Sequence, residues 1–337
     1  MDNATNVTYT TGYDDSIYLN IFAYIELVMG IIGTIGNTLV IIVVLSTPNM
    51  QTLTNYFILN LAAADLLTSI LLIGNRFPLD VGGLSIPEGL AADVYCRVYS
   101  SAQFFWFTIN VSSCNLVLVT MERYFAIVHP LTYGKYFTKR TAAAMISVTW
   151  VFVFVLQFFN LAFHGYDPDF GCFLAVYPSP AIGTGIGVMY FVITFLIPML
   201  YMAIAYYKIS VCLHQSANSI MAGNLADDRA KTLLVARKRV IRMLFLVILA
   251  FGICWTPDSL LFLSYNLGNH IDLSLTYVQC IVVLKFVNSI LNPFIYVFKY
   301  KQFRQSLAKK FCMCVPCIRN KIADESVVVN TLNTTNS

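Results

Sequence analysis

Seven apolar stretches dominate the chain, near residues 21–46, 54–79, 96–126, 140–163, 182–210, 238–265 and 274–298. As helix, at 1.5 Å per residue, each is long enough to cross about 30 Å of hydrocarbon. Lipid offers a backbone no hydrogen-bonding partner, so stretches of this kind fold as helices that satisfy themselves. The expected class is an all-α membrane protein, a seven-helix bundle. With 58% of residues hydrophobic and only 11% charged, little is left over for a soluble domain. The first twenty residues are acidic and polar and lack a basic n-region, so the first span is expected to act as its own insertion signal.

Charge sets the expected orientation. Of the 21 Lys and Arg, all but Arg76, Arg97 and Lys285 fall in the connections on one side, at the span ends that border them, or in the tail, so that face is read as cytoplasmic and the N-terminus as extracellular. The opposite face gathers Asp2, Asp14, Asp15, Glu26, Asp80, Glu88, Asp93, Asp167, Asp169 and Asp272, which makes an acidic outer rim. Asn3 and Asn6 head two glycosylation sequons on the same outer segment, while Asn110-Val-Ser112 lies within a span and is expected to stay unmodified. The expected organisation is therefore an outer glycosylated segment over 1–20 and a seven-span domain over 21–298. A short amphipathic eighth helix with lipidated cysteines over 299–317 and a disordered inner tail over 318–337 follow.

The nine cysteines divide by compartment. Cys96 and Cys172 are alone on the oxidising side and are expected to pair. Cys312, Cys314 and Cys317 follow the basic, aromatic stretch 299–311 and read as palmitoylation sites at the membrane surface. A zinc site at Cys314-Val-Pro-Cys317 lacks further ligands of suitable spacing beyond Cys312.

Polar and kinking residues inside the apolar stretches carry the functional signal, because their cost in lipid is high. These are Gly36-Asn37, Asn60-Leu-Ala-Ala-Ala-Asp65, Glu122-Arg123-Tyr124, Trp150, Pro198 with Tyr206, Phe251-Gly-Ile-Cys-Trp255-Thr-Pro257, and Asn292-Pro293-Phe-Ile-Tyr296. In this order, one set per span, the chain resembles the rhodopsin-like (class A) G-protein-coupled receptors over roughly 20–317. A proline usual after the span-four tryptophan is missing, which touches only the local kink there.

Spacing alone gives part of a mechanism. Phe105, Ser112 and Arg123 recur near whole helical turns on span three, and Phe251, Trp255, Asp258 and Phe262 do so on span six. An aromatic stripe is most often simply core. Here Pro257 interrupts the backbone ladder beside Trp255 and makes a hinge that an outer ligand can bias. A carboxylate near mid-membrane, Asp65, needs a proton, a partner or a cation. The resemblance implies a sodium ion there, ringed by Ser112, Asn288, Ser289 and Asn292, as an allosteric ion rather than a cofactor. It also implies that Glu122 restrains Arg123 at rest, that Tyr206 and Tyr296 close around Arg123 in the active state, and that Leu131 contacts the G protein. The acidic partner that many members carry at the inner end of span six is replaced here by the basic 236–239 stretch.

For the ligand, the expected pocket comprises Phe104, Phe105, Trp106, Ile109, Tyr190, Trp255, Asp258, Phe262 and Lys285. The position where amine receptors of the family carry an aspartate is Phe105, and the retinal lysine of opsins is offset by one residue at Lys285, about 100° around the helix. Asp258 is the expected partner of Lys285. An acidic rim and aromatic walls favour a neuropeptide, with a resemblance to the galanin, somatostatin and RFamide receptor type; the alternative is a small lipid or metabolite. The expected partners are that ligand, a heterotrimeric G protein, arrestin, a receptor kinase and membrane lipid, with no nucleic acid, at the plasma membrane. A seven-helix transporter would need a polar path and commonly repeat symmetry, and no internal repeat is visible. His129, His164, His214 and His270 are scattered and no phosphate loop is present, so no enzyme is expected.

Overall fold

A computed structural model describes residues 15–80, 86–169, 171–173, 176–222, 228–269, 271, 276–299 and 301–311, some helical stretches such as 228–240 in backbone only. Asn3, Asn6, Cys312, Cys314 and Cys317 lie outside the described residues. Among the described residues seven helices are long and apolar enough to cross a membrane: Ile21–Ser46, Leu53–Leu79, Leu90–Val128, Lys139–Phe163, Pro180–Asn218, Phe245–Asn266 and Thr276–Phe298, here spans one to seven. Span six continues a helix that begins at Asp228. Large apolar side chains such as Val148, Val151, Phe152 and Val155 on span four are exposed, as a lipid-facing surface requires. The chain is a multi-pass membrane protein.

Prolines shape three spans. Pro198 has no N–H to give to the carbonyl four residues back, and the helix widens into a π turn over Val192–Leu196 just before it. Pro257 also withholds a donor inside span six, where the helix stays α through it. Pro293 deprives the Ser289 carbonyl of its helical donor, and Asn37 of span one supplies the replacement, its Nδ2 donating at 3.1 Å. Gly36 permits this approach, since a Cβ there would sit 3.1 Å from the Pro293 ring. Span three departs from a plain helix: a π turn over Tyr95–Ser100 is followed by Ala102 in the left-handed region at φ 52°. The helix then restarts at Gln103.

One element is not helical. Between spans four and five, β1 (Gly165–Asp167) pairs antiparallel with β2 (Gly171–Phe173), with Tyr166 opposite Cys172. The all-helix expectation misses this hairpin because three-residue strands leave almost no periodicity to read. Cys172 bonds Cys96 at the start of span three, Cα to Cα 5.2 Å, closing a 76-residue separation. Arg97 adds a bond from Nη1 to the Leu161 carbonyl at 2.8 Å. Loop-closure entropy assigns such a link about 2 to 5 kcal/mol. Cys96→Ser and Cys172→Ser should therefore each lower thermal stability by that order, and the double variant should be no worse than either single one. Thermal unfolding unchanged by a thiol reductant would contradict this.

At the other end, the short helix Pro130–Tyr136 joins spans three and four, and Leu131 on it is 99% exposed. A last helix, Lys301–Phe311, follows span seven. Its Phe303 is buried within 6.3 Å of the Tyr296 ring and packs with Val40, Phe57 and Phe137.

Candidate functional site

Three polar clusters stand one below another in the bundle, and each is built from residues of several spans. The first lies toward the disulfide end. Asp258, the residue after Pro257, meets Lys285 of span seven, with Nζ to Oδ2 at 2.6 Å and only 13% and 11% of the two side chains exposed. The Lys285 ammonium also sits over two indoles, 4.5 Å from the Trp255 ring centroid and 5.1 Å from that of Trp106. Phe105 is edge-on to Phe286 at 5.0 Å, and Trp255 packs on Phe251 at 5.0 Å. Phe105, Ile109, Phe251, Trp255 and Phe286 are all buried in this one cluster. The expected Asp258–Lys285 contact is present, and of the two helical stripes Phe105, Ser112, Phe251 and Trp255 are buried inside the bundle while Phe262 is not.

Three expected pocket residues are placed less simply. Phe104 is 48% exposed and stacks edge-on against Phe158 of span four, so it belongs to the lipid-facing side and not to the pocket. Phe104, Phe105 and Trp106 are consecutive, and steps of about 100° keep three such residues from sharing one face. Tyr190 is buried and donates its hydroxyl to the Leu156 carbonyl. Phe262 is at the margin, half exposed, 6.3 Å from the Tyr190 ring.

The second cluster surrounds Asp65, fully buried in span two. Ser112 donates to its Oδ1 at 2.5 Å and Asn292 to its Oδ2 at 2.8 Å, tying spans three and seven to one carboxylate. The Ser289 hydroxyl lies by the same carboxylate, and both side-chain polar atoms of Asn288 are buried with no hydrogen-bond partner among the described residues. Buried polar atoms left unpaired cost about 1 to 3 kcal/mol each. A neighbouring bridge holds spans two, three and four: Trp150 donates to Asn60 at 3.0 Å, and Asn60 donates to Asn115.

The third cluster closes the end opposite the disulfide. Glu122 is wholly buried and accepts from Arg123, Nη2 to Oε1 at 2.6 Å and Nε to its other oxygen. Thr54 of span two donates to the same carboxylate at 3.1 Å, and Tyr133 of the connecting helix donates to Oε1 at 2.5 Å. Burial, and then the neighbouring carboxylate, hold the Tyr133 phenol protonated well above its ordinary range. Thr54 and Tyr133 were not legible as partners of Glu122: one is 68 positions away and the other is brought back only by the turn at Pro130. Tyr206 stacks on Phe245 at 4.7 Å; Arg123 lines a small cavity of about 10 Å³ with Thr120, Tyr206, Ile209, Ile241 and Ile248, and a separate cleft of about 210 Å³ between spans five and six is lined by Tyr206, Ser210, Leu213, His214, Ile241 and Arg242. Tyr124 faces His129, ring to ring at 5.4 Å.

The geometry makes a vertical series: a charged and aromatic cluster at one end, a buried carboxylate hub in the middle, and a restrained arginine at the other, with proline breaks between them. The sequence matches the family model "7 transmembrane receptor (rhodopsin family)" over residues 36–296. It is 27% identical to the allatostatin-A receptor of Bombyx mori across 98% of this chain and 91% of that protein. It is 28% identical to the QRFP-like peptide receptor of Branchiostoma floridae across 89% of this chain and 78% of that protein. Identity to the adenosine receptor A2a of Canis lupus familiaris is 26%, across 86% of this chain and 71% of that protein. The chain belongs to the rhodopsin family of seven-transmembrane receptors.

Proposed function

We propose that this G-protein-coupled receptor is activated by an extracellular peptide at the plasma membrane, with the disulfide end outside and the Arg123 end facing the cytoplasm. Membership of this family makes the chain a signalling receptor and not an enzyme. The observation that carries the reading is Arg123, held bidentately by a buried glutamate and covered by Tyr206 of span five and Ile241 and Ile248 of the span-six helix. An outward swing of span six about Pro257 would uncover this arginine for a G protein. The skew of Lys and Arg toward that end supports the orientation, and Leu131, fully exposed there, is assigned to the same partner. Arrestin and a receptor kinase would read the same opened face. The acidic rim and the relatives named for peptides favour a peptide ligand. A small metabolite is the second reading, favoured by the adenosine receptor among the relatives and by the tight aromatic packing around Trp255. Nucleotide exchange on a G protein in receptor membranes, screened with amidated peptides and then with nucleosides and lipids, decides between them. Substrate flux without exchange would overturn both.

The Asp65 cluster fits a sodium ion. A buried carboxylate stands with the hydroxyls of Ser112 and Ser289 and the Nδ2 of Asn292, and Asn288 has an unsatisfied amide oxygen to offer. The ion would supply the charge balance that lipid cannot. At a tenfold excess over its dissociation constant, sodium should stabilise the receptor by about 1.4 kcal/mol. Thermal unfolding in sodium chloride against N-methylglucamine chloride measures this. Wild type should gain and Asp65→Ala and Ser112→Ala should not; equal gains in all three would remove the site.

A further inference from the structure

We propose that Asp258 is the anchor for a cationic group of the extracellular ligand, and that Lys285 is the resident counter-ion which this group displaces onto the Trp106 and Trp255 rings. The inference rests on the receptor reading above and names the ligand chemistry it leaves open. The ion pair at 2.6 Å is one turn of span six outward of Trp255, and it retains a small exposure. A charged ligand entering from the outer side meets a pair that must be split, and either partner is a formal target.

The surroundings decide which. Lys285 has two partners besides Asp258, the faces of Trp255 at 4.5 Å and Trp106 at 5.1 Å. Ring faces carry negative charge density and attract an ammonium, the more so when it is desolvated. Asp258 has no equivalent: among the described residues Lys285 is the one cation within ion-pairing distance. A ligand carboxylate that claimed Lys285 would leave Asp258 buried, uncompensated and close to the same electron-rich rings. A ligand cation that claims Asp258 leaves Lys285 caged by two indoles. The cost of splitting the pair is therefore unequal, and the site selects for positive charge. The acidic outer rim would raise the local concentration of the same class of ligand.

The displacement has a mechanical consequence. Trp255 is two residues before Pro257, at the hinge, and packs on Phe251. A ligand cation on Asp258 releases the tie between spans six and seven and shifts the ammonium toward Trp255, so recognition and hinge share one indole. A basic side chain or a free amino terminus near the end of a peptide has the required chemistry.

Capped amino acids test this without the natural ligand. N-acetyl-argininamide, N-acetyl-glutamic acid amide and neutral N-acetyl-glutaminamide would be titrated against the full-length receptor in nanodiscs. The readouts are tryptophan fluorescence, to which two of the three tryptophans report from this site, and thermal unfolding. The arginine probe should bind wild type, lose about tenfold or more in Asp258→Asn, and bind Lys285→Gln at least as well as wild type. If Asp258→Asn folds poorly, the neutral pair D258N/K285Q should show the same loss, and Asp258→Glu should keep binding. Preferential binding of the glutamate probe, lost in Lys285→Gln, would reverse the assignment. Equal response to all three probes, or none, would reduce the pair to a structural one and overturn the proposal. The titration does not depend on G-protein exchange, so a failure of the peptide-receptor reading shows separately, as absent exchange with intact charge selectivity.

Discussion

Lys285→Gln should destabilise the folded receptor by about 3 to 5 kcal/mol, the range for a buried ion pair that loses one partner. Asp258→Asn should cost less, and D258N/K285Q less than either. The order follows from what each variant strands. With glutamine at 285, the Asp258 carboxylate keeps its charge beside two indoles and has no cation to meet it. With asparagine at 258, the ammonium still has the two ring faces, worth about 2 kcal/mol or more when desolvated. With both neutral, an amide pair of similar size fills the same space without buried charge. The slight exposure of both side chains moves all three values toward the low end of the range. Thermal unfolding and surface expression of the three variants measure the order; a double variant as damaged as Lys285→Gln would mean that the two charges are not coupled.

Spans are legible in the chain because lipid leaves a long apolar run no option but helix. The Asp258–Lys285 pair is legible for a related reason: two opposite charges on inward faces of adjacent spans have few other partners. Contacts set by the depth and rotation of one helix against another are harder to read. Asn37 and Pro293 are each conspicuous in the sequence, yet nothing in it states that the asparagine repairs the hydrogen bond the proline breaks at Ser289. That contact depends on Gly33 and Gly36 letting spans one, two and seven approach; a Cβ at Gly33 would fall 2.2 Å from the Ser69 hydroxyl. Phe104 shows the opposite error, in which an aromatic beside two inward neighbours is credited to their face although helical rotation carries it away. The left-handed turn at Ala102 has no local signature either, because alanine gives no reason to leave the right-handed region.

Glu122→Gln should raise agonist-independent nucleotide exchange by about 30- to 150-fold, up to the ceiling set by full activation. Among the described residues Glu122 is the one anion within ion-pairing distance of Arg123; it is wholly buried and is itself fixed by Thr54 and Tyr133. Charge-assisted hydrogen bonds contribute about 1.5 to 3 kcal/mol, and neutralising the acceptor removes the charge from two of them at once. A loss of about 2 to 3 kcal/mol from the resting state alone changes the resting-to-active ratio by that factor. The supporting bonds predict graded companions. Tyr133→Phe removes one hydrogen bond, about 1 kcal/mol, and should raise basal exchange about fivefold. Thr54→Val should do the same from span two. The clamp ties span three to span two and to the Pro130–Tyr136 helix, and not to span six, so these variants free the arginine without loosening the hinge. Ligand affinity should rise only as far as linkage to the active state requires. Arg123→Ala should abolish exchange and also lower the unfolding temperature, because Glu122 is left buried without its cation and keeps only its other two donors. Basal exchange unchanged in Glu122→Gln at equal surface density, together with exchange retained in Arg123→Ala, would separate this cluster from activation.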